Sequence, residues 1–339
     1  LDVTKIKELY DKGENTFIQK VKEDNKHPDF YSNPLFVSPS NKEMSIFLIN
    51  LCSIRFKAMF RKIFYIDQWA LLYKIESKNI ISKSFYKFKK IIPPKDRFWA
   101  DPHIIKKDDK YFIFIEELIY KDNKGFISVI EMNSKGEYTS PIKVLEKEYH
   151  LSYPFVFEDN GLFYMIPESK ENKTIDLYVS TNFPYVWEFK KTLIKNIAAV
   201  DATILFHKEK YWIFANVVRN EGASSLDELF LYSSDILISD NWVSHPNNPI
   251  VSDVRKSRPA GNLFSYKNNL YRPSQNCSQH YGYGMKINQV LKLTELDYEE
   301  KVVNSIYPNW DKKLFATHTL SSCENLTVID GCFKRRRCF

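Results

Sequence analysis

Residues 152–169 read SYPFVFEDNGLFYMIPES, in which a polar start leads into a short apolar strand, a polar turn and an aromatic strand. Asp, Asn and Gly between two runs of aromatic and aliphatic residues are typical of a β-hairpin. The same plan recurs in residues 101–117, 201–215 and 258–273. Because these segments begin roughly every 50 to 57 residues, the sequence predicts a repeat architecture.

Each repeat has the plan of a propeller blade, whose first strand lines a central channel. The four segments open four blades, and we expect a fifth to begin at 317–320 and to include 326–329. Residues 69–73 and 85–92 would supply its outer strands and close the ring across the two ends of the chain. We therefore predict an all-β fold, a five-bladed β-propeller over residues 67–339; four or six blades fit the spacing less well.

Residues 1–66 have a different pattern and are predicted to form a helical extension or linker. Apolar residues recur with a helical period over 2–22, with a break at Gly13. Ser40 to Glu43 resembles a capping box that opens a second helix. The basic amphipathic stretch 43–64 would contact an anionic membrane surface, or pack on its own domain or on a neighbour; charges interrupt it too often for a membrane span.

Composition indicates a folded domain, since the 339 residues are 44% hydrophobic and 15% aromatic, with only 9 glycines. This excludes a disordered chain and argues against nucleotide folds built on glycine loops, whose motifs we do not find. We expect no cofactor and no nucleic-acid partner. The formal charge of +7 suits an anionic partner such as a sugar nucleotide, a phospholipid surface or an acidic glycan, but Lys-rich usage without a partner gives the same balance.

Five scattered cysteines form neither a C-x-x-C pair nor a zinc-finger spacing, so we predict mostly reduced thiols and no metal site. This favours a cytoplasmic protein, peripheral on the inner membrane if 43–64 makes contact. The chain does not begin with Met and shows no signal peptide, so we expect a piece of a longer protein with a further domain before residue 1.

Polar residues open the repeated strands, and in a propeller these openings surround one mouth of the channel. Residues that are far apart in the sequence should therefore converge there. The alternative is that an Asp before Pro or Ala only caps a turn. Five polar openings in register favour a functional site, and they are Asp101, Ser152 with Tyr153, Asp201, Arg258 and His318.

Carboxylates at or near these openings are the candidate catalytic residues. Glycosyl transfer needs one carboxylate as base or nucleophile and a second as the acid that protonates the leaving oxygen. Glu168 ends a second strand, and Glu228 opens a third strand of the third blade. The predicted catalytic residues are Asp101, Asp201, Glu168 and Glu228.

Substrate binding would use cationic and aromatic side chains. Two arginines and a histidine would hold a phosphate or carboxylate by charge-assisted hydrogen bonds. Aromatic rings would stack on sugars, although aromatics on strands more often belong to the core. The predicted substrate-binding residues are Trp99, Tyr153, Arg258, Arg272, Gln275 and His318.

Several motifs together resemble the N-terminal propeller domain of plant glucosamine inositolphosphorylceramide transferases and its bacterial homologues found with surface-polysaccharide genes. The resemblance runs from about Gln68 to Arg337 and implies the fold of the five-bladed arabinanase, xylosidase and invertase superfamily. The motifs are FWADP at 98–102, SYP at 152–154, PES at 167–169, DAT at 201–203, SRPAG at 257–261 and YRPSQN at 271–276.

In the glycosidase superfamily an Asp that opens the first blade is base or nucleophile, an Asp in a middle blade tunes the site, and a Glu is the acid. The resemblance assigns the first two roles to Asp101 and Asp201. Either Glu168 or Glu228 would be the acid, with Glu168 preferred for its place at a channel-facing strand end. Simple glycosidases need neither Arg258 nor His318 at these positions, which weakens a plain hydrolase interpretation.

We therefore expect a carbohydrate-active transferase, similar to a glycosyltransferase, that builds a bacterial surface glycan such as capsule or lipopolysaccharide. Its substrate would be a sugar nucleotide or a lipid-linked glycan. A glycoside hydrolase with paired carboxylates is the first alternative. The second is a noncatalytic glycan- or lipid-binding propeller that accompanies a catalytic domain.

Overall fold

The structure is a computed structural model that describes residues 3–26, 38–75, 85–220 and 222–337. The chain divides into two compact units, residues 1–61 and 62–339. The first strand of the second unit begins at Tyr65, slightly before the boundary expected from the sequence.

The first unit is helical. Helices α1 (Val3–Lys12) and α2 (Glu14–Asp24) are separated at Gly13, as predicted, and α3 runs over Asn41–Phe64. The capping box is present, since the backbone N–H and the hydroxyl of Ser40 both donate to Glu43 Oε2 at 2.8 Å. Within the described ranges, no helix is long and apolar enough to cross a membrane.

The second unit is a ring of five antiparallel sheets, each of them one blade. In chain order the strands are β1 (Tyr65–Ile75), β2 (Lys89–Ile91), β3 (Arg97–Lys107), β4 (Lys110–Ile119), β5 (Lys124–Asn133), β6 (Ile142–Leu145), β7 (Ser152–Asp159), β8 (Leu162–Glu168), β9 (Thr174–Asn182), β10 (Val186–Lys195), β11 (Ala198–His207), β12 (Lys210–Val218), β13 (Glu228–Ser234), β14 (Val243–Ser244), β15 (Val251–Ser252), β16 (Phe264–Tyr266), β17 (Asn269–Asn276), β18 (Gly284–Leu293), β19 (Tyr298–Ile306), β20 (Leu314–Ala316), β21 (Leu320–Cys323) and β22 (Leu326–Arg336).

The first four blades are continuous in the chain. From the inside outwards they are β3–β4–β5–β6, β7–β8–β9–β10, β11–β12–β13 with β14 and β15 both on β13, and β16–β17–β18–β19. The fifth blade combines both ends of the unit, with β20 and β21 on β22, followed by β1 and β2. The predicted fold and the predicted closure across the chain ends are therefore confirmed.

The inner edge of the fourth blade is shorter than the sequence predicted. A strand was expected from Arg258 onward, but β16 begins only at Phe264, and a single bridge joins Pro259 to Ser274. Pro259 has no N–H for a ladder, and Gly261 has a φ of +123° that a strand cannot continue. The chain before β16 is consequently an irregular segment beside the channel.

The core consists of apolar layers between neighbouring blades. Phe114 of the first blade, for example, packs in one layer with Met165 of the second blade, and Ile166 of the second packs with Ile213 of the third. Five such clusters fill the five blade junctions. Each fully buried large apolar side chain contributes about 1.5–3 kcal/mol, so the aromatic second strands hold the ring together.

Gly261 permits a close approach between the fourth and fifth blades. A Cβ at this position would lie 1.9 Å from the carbonyl oxygen of Leu320, whose N–H donates to Ala260. We predict that Gly261→Ala lowers the free energy of unfolding by about 3 kcal/mol, from clash and strain together. Gly161 is the matched control, because it also has positive φ (+76°) but open space around its Cβ position. Urea denaturation should show a loss of only about 1 kcal/mol for Gly161→Ala; equal losses for the two variants would contradict the close approach.

Candidate active site

Three inner strands begin with the same irregularity. In β3, β7 and β11 one extra residue interrupts the pairing with the second strand. Asp101, Tyr153 and Asp201 lie in these bulges with φ of +51°, +42° and +52°. Bulges re-aim side chains, and a non-glycine residue at positive φ costs about 1–3 kcal/mol. Tyr153, rather than Ser152, is thus the counterpart of the two aspartates.

Asp101 is joined to the fifth blade by a buried chain of polar groups. Its Oδ1 accepts a hydrogen bond from Thr319 Oγ1 at 2.8 Å and lies 3.4 Å from His318 Nε2. The other ring nitrogen of His318, Nδ1, lies 2.6 Å from Asp330 Oδ2, outside the angular range of a hydrogen bond, so the contact is an ion pair. Asp330 in turn accepts from the backbone N–H groups of Asp101 and His318. His318 is therefore held between two carboxylates.

The two central groups of this chain have shifted pKa values. Burial raises the pKa of Asp101 to about 7, although the nearby His318 opposes the shift. Burial alone would lower the pKa of His318, but Asp330 and Asp101 together raise it to about 9. At neutral pH His318 is therefore a cation, and Asp101 can both hold and release a proton.

Asp201 forms a second ion pair across two blades. Its carboxylate accepts from Arg258 Nε at 2.5 Å and from Arg258 Nη2 at 3.1 Å, a two-point contact. Gln275 Nε2 donates to the same carboxylate at 2.7 Å and to the carbonyl of Pro259 at 2.9 Å. The segment before β16 thus presents Arg258 to the third blade.

Glu168 lies beside this pair at the end of β8. Its Oε2 accepts from the N–H of Asp201 at 3.3 Å and lies 3.6 Å from Arg258 Nη2. Burial, and then the charge of Asp201, raise the pKa of Glu168 well above its ordinary value, against the influence of Arg258. The side chain of Glu168 is 12% exposed, so burial favours the protonated form of a carboxyl group that is not completely enclosed.

Two aromatic rings stand over His318. The ring of Trp69 is tilted against the imidazole at a centroid distance of 4.2 Å, and Tyr281 meets it edge-on at 5.0 Å. The guanidinium of Arg258 lies 5.1 Å from the centre of the Tyr281 ring. Tyr281 is 41% exposed, so this aromatic pair forms a partly open rim.

A further pair lies on the first blade. Glu116, nine-tenths buried, is 3.2 Å from His150 Nε2, and this contact is the main reason that the pKa of His150 is raised. His150 Nδ1 accepts from the N–H of Gly125. The charge of Glu116 contributes to the raised pKa of Asp101, so the pair belongs to the same electrostatic environment.

Tyr153 of the second blade connects that blade to the third and the fourth. Its hydroxyl contacts Thr203 Oγ1 of the third blade at 2.8 Å and accepts from the N–H of Gly261 of the fourth at 2.8 Å. The side chain is almost fully buried. The structure thus brings Tyr153 into the cluster with its hydroxyl already bonded to protein, which fits a structural role better than the predicted contact with substrate.

Two of the predicted site residues, Glu228 and Trp99, lie outside the cluster of charged side chains. Glu228 opens β13 and pairs with Arg219 at 3.2 Å, and both side chains are partly exposed. Trp99 is packed in the apolar layer between the fifth and first blades, with its Nε1 donating to Glu117 at 3.2 Å. Glu228 is on the third strand of its blade, away from the inner strand, and Trp99 faces the layer between two blades.

Arg272 was predicted to hold phosphate but is occupied inside the fourth blade. Its Nε and Nη2 donate to the carboxylate of Glu300 at 2.8 Å, and two donors reach the carbonyls of Lys256 and Ser257. The side chain is 1% exposed, so it supports the segment that carries Arg258.

The residues that the structure brings together from the predicted set are Asp101, Tyr153, Glu168, Asp201, Arg258, Gln275 and His318. Sequence reasoning missed Asp330, Thr319 and the Glu116–His150 pair. The sequence does contain a signal for Asp330. It is the one acidic residue in the apolar run of β22, and a carboxylate that is buried there needs polar partners.

One group among the described residues has ligand atoms at the spacing of a metal site. Those of Asp101, His318 and Asp330 lie within 4.8 Å of one another. The 2.6 Å separation between His318 Nδ1 and Asp330 Oδ2 is a direct contact that leaves no room for an ion between the two atoms. The group thus fits an imidazolium between carboxylates.

The fold defines a class of architecture, the five-bladed propeller, which is also found in glycoside hydrolases. The catalytic domain of Coprinopsis cinerea GH62 alpha-L-arabinofuranosidase has this fold, with a TM-score of 0.52 and 11% identity over 80% of this chain and 99% of that one. The family described as "Glucosamine inositolphosphorylceramide transferase 1, N-terminal" matches residues 89–325, and the chain belongs to it.

Relatives in plants support the family assignment. Glucosamine inositolphosphorylceramide transferase 1 of Arabidopsis thaliana is 34% identical over 248 residues, which are 69% of this chain and 32% of that protein. The Oryza sativa subsp. japonica protein of the same name is 33% identical over 210 residues, 61% of this chain and 28% of that one. The chain thus spans about a third of the length of these relatives.

These findings correct one expectation from the sequence. The resemblance to the transferase family is confirmed, but the predicted role in bacterial capsule or lipopolysaccharide assembly is wrong. The matching proteins are plant transferases named for inositolphosphorylceramide. The motifs define the domain and do not distinguish the biosynthetic setting.

The ion pair of Arg258 gives a stability prediction. Removing one partner of a buried pair leaves an uncompensated charge and costs about 3–5 kcal/mol. We expect Arg258→Met to lower the free energy of unfolding by this amount, measured by urea denaturation. Arg255→Met is the control, because Arg255 makes an exposed pair with Asp253 that is worth about 0–1 kcal/mol. A similar small loss for both variants would show that Asp201 does not depend on Arg258.

The raised pKa of His318 gives a pH prediction. The folded value of about 9 exceeds the unfolded value of about 6.5, so the stabilisation is complete below pH 6.5 and is lost as pH rises through 9. The free energy of unfolding should fall by up to about 3 kcal/mol between pH 6.5 and 9.5. The shift of Asp101 has the same sign but acts at lower pH, as its pKa rises from 3.8 to about 7. His318→Gln should flatten the upper part of the profile, and an unchanged slope would contradict the assignment.

Proposed function

We propose that this chain is a carbohydrate-active enzyme that transfers a glycosyl group, with its chemistry at the channel mouth. One observation carries the proposal: Asp101 and Glu168 belong to one cluster of buried polar groups drawn from several blades, and burial raises the pKa of both carboxyl groups. Carboxyl groups whose pKa is raised in this way are candidates for the roles of general acid and base. Family membership supports transfer, since the plant relatives are named as transferases.

Glu168 would donate the proton. Its raised pKa favours the acid form, and its side chain is partly exposed, so we assign it the protonation of the oxygen of a departing group. Asp101, with a pKa of about 7, would remove the proton from an acceptor hydroxyl. His318 and Thr319 fix the position of the Asp101 carboxylate, and Asp330 orients the histidine.

The substrate would be an activated sugar together with an inositolphosphoryl lipid, the class in the relatives' name. Arg258 has five N–H donors, of which Asp201 takes two, so its charge remains able to attract a phosphate. Trp69 and Tyr281 provide the ring faces on which a sugar would stack.

A second function is favoured by two observations. The chain spans about a third of its plant relatives, so a separate part of such a protein could perform the reaction. In addition, Asp201 and Asp330 are already paired within the protein. A propeller that binds the glycan or lipid headgroup for a neighbouring catalytic domain would use the same mouth without turnover.

The test is turnover with a panel of sugar nucleotides and an inositolphosphoryl lipid acceptor, with product detected by mass spectrometry. We expect Glu168→Gln and Asp101→Asn each to lower kcat by about 10²–10⁴-fold, the range for loss of a general acid or base. Glu228→Gln should leave kcat unchanged, because Glu228 lies outside the cluster.

Other outcomes contradict the transferase proposal. Hydrolysis of aryl glycosides without a nucleotide, lost in Glu168→Gln, would establish a glycosidase instead. Saturable binding of the sugar or lipid without turnover, weakened by Arg258→Gln, would establish the binding propeller.

A further inference from the structure

A basic groove of about 690 Å³ lies on the fifth blade, apart from the charged cluster. It is bounded by the first residues of β1, the end of β22 and the chain that follows β2. None of the described residues that line it is acidic. The cations that line it are Lys90, Lys95, Lys313, Lys334, Arg335 and Arg336.

The side chains that line the groove have a net positive charge. Lys90 is paired with Asp311, so one cation is neutralised from outside the groove. The guanidinium of Arg335 is held by neutral acceptors, Gln68 Oε1 and the carbonyl of Pro93, which leave its charge in place. Lys334 faces Asp67 across the β1–β22 pairing and is itself exposed. With Asp311 and Asp67 counted against Lys90 and Lys334, and with Lys95 left out of the count, Lys313, Arg335 and Arg336 still give the lining a positive charge.

Apolar groups form part of the same surface. Ala70, Phe333 and Ile92 line it as well, and Ile92 is 52% exposed. A surface that combines cations with apolar groups complements lipid headgroups and the acyl boundary beneath them. Nucleic acid would match the charge but not the apolar residues.

The strand register places this groove toward the channel mouth. Inner strand β21 begins at Leu320, opposite Ile329, next to Asp330 of the charged cluster. Strand β22 continues beyond that level to Arg336, which pairs with Tyr65. The basic end of the β1–β22 ribbon therefore extends past the start of the inner strand, at the end of the blade where the mouth opens.

We propose that this groove binds the surface of a membrane that contains anionic phospholipid. Each Lys or Arg near such a surface adds attraction that is screened by salt. The inference does not rest on the proposed enzymatic function, since it concerns separate residues and needs no turnover.

The experiment is co-sedimentation of the full chain with vesicles of phosphatidylcholine alone, or with about 30 mol% phosphatidylserine. We expect binding only to the anionic vesicles, weakened by salt. Lys334→Gln/Arg336→Gln should lower the partition coefficient about 30-fold, from roughly a fivefold contribution of each charge. Both side chains are exposed, and thermal unfolding checks that the variant is folded.

Lys190→Gln/Lys301→Gln is the matched control. These exposed lysines lie on the outer strands of the second and fourth blades and give the same change in net charge. The proposal is overturned if the two double variants bind alike, which would place any membrane contact elsewhere, for example at 43–64. It is equally overturned if vesicles are not bound but an RNA duplex is, through the same two residues.

Discussion

Pairing between the two ends of the propeller is the constraint on which the rest of the structure depends. Eleven residues of β1 face eleven of β22, from Tyr65 opposite Arg336 to Ile75 opposite Leu326. This ladder turns a linear series of hairpins into a closed ring and pairs the edges of β1 and β22, which a linear series would leave open. Trp69 and Asp330 lie within the two paired strands. Closure therefore also completes the site, because both residues contact His318.

Within the ring, the pairing of buried charges determines which groups at the channel mouth have shifted pKa values. Buried ionic groups are costly unless they are paired and hydrogen-bonded, and most of this cluster meets that requirement with partners from other blades. Arg258 compensates Asp201, and His318 stands between Asp101 and Asp330. Glu168 lies beside Arg258 but is displaced from full compensation, and its pKa is raised well above the ordinary value. Glu168 is thus the incompletely compensated carboxyl group of the cluster, which is why we propose it as the proton donor.

The sequence was most informative where residues repeat. The hairpin plan predicted the blades and their closure, and the register of the blade openings predicted that Asp101, Asp201 and His318 would share one place. It was less informative about the direction of single side chains: Trp99 packs in the layer between the fifth and first blades, and Arg272 pairs with Glu300 inside the fourth blade. The partners that sequence reasoning missed, among them Asp330 and the Glu116–His150 pair, lie at positions that the repeated motif does not include. The biosynthetic setting was predicted wrongly because residue types report chemistry and not the pathway that uses it.

The bonds made by Tyr153 have a mechanical consequence. Its phenol belongs to the second blade, yet it is bonded to Thr203 of the third and to Gly261 of the fourth. Second and fourth blades are not neighbours in the ring, so this one side chain ties three consecutive blades together. The arc that carries Glu168, Asp201 and Arg258 therefore depends on one buried phenol for its cohesion near the site.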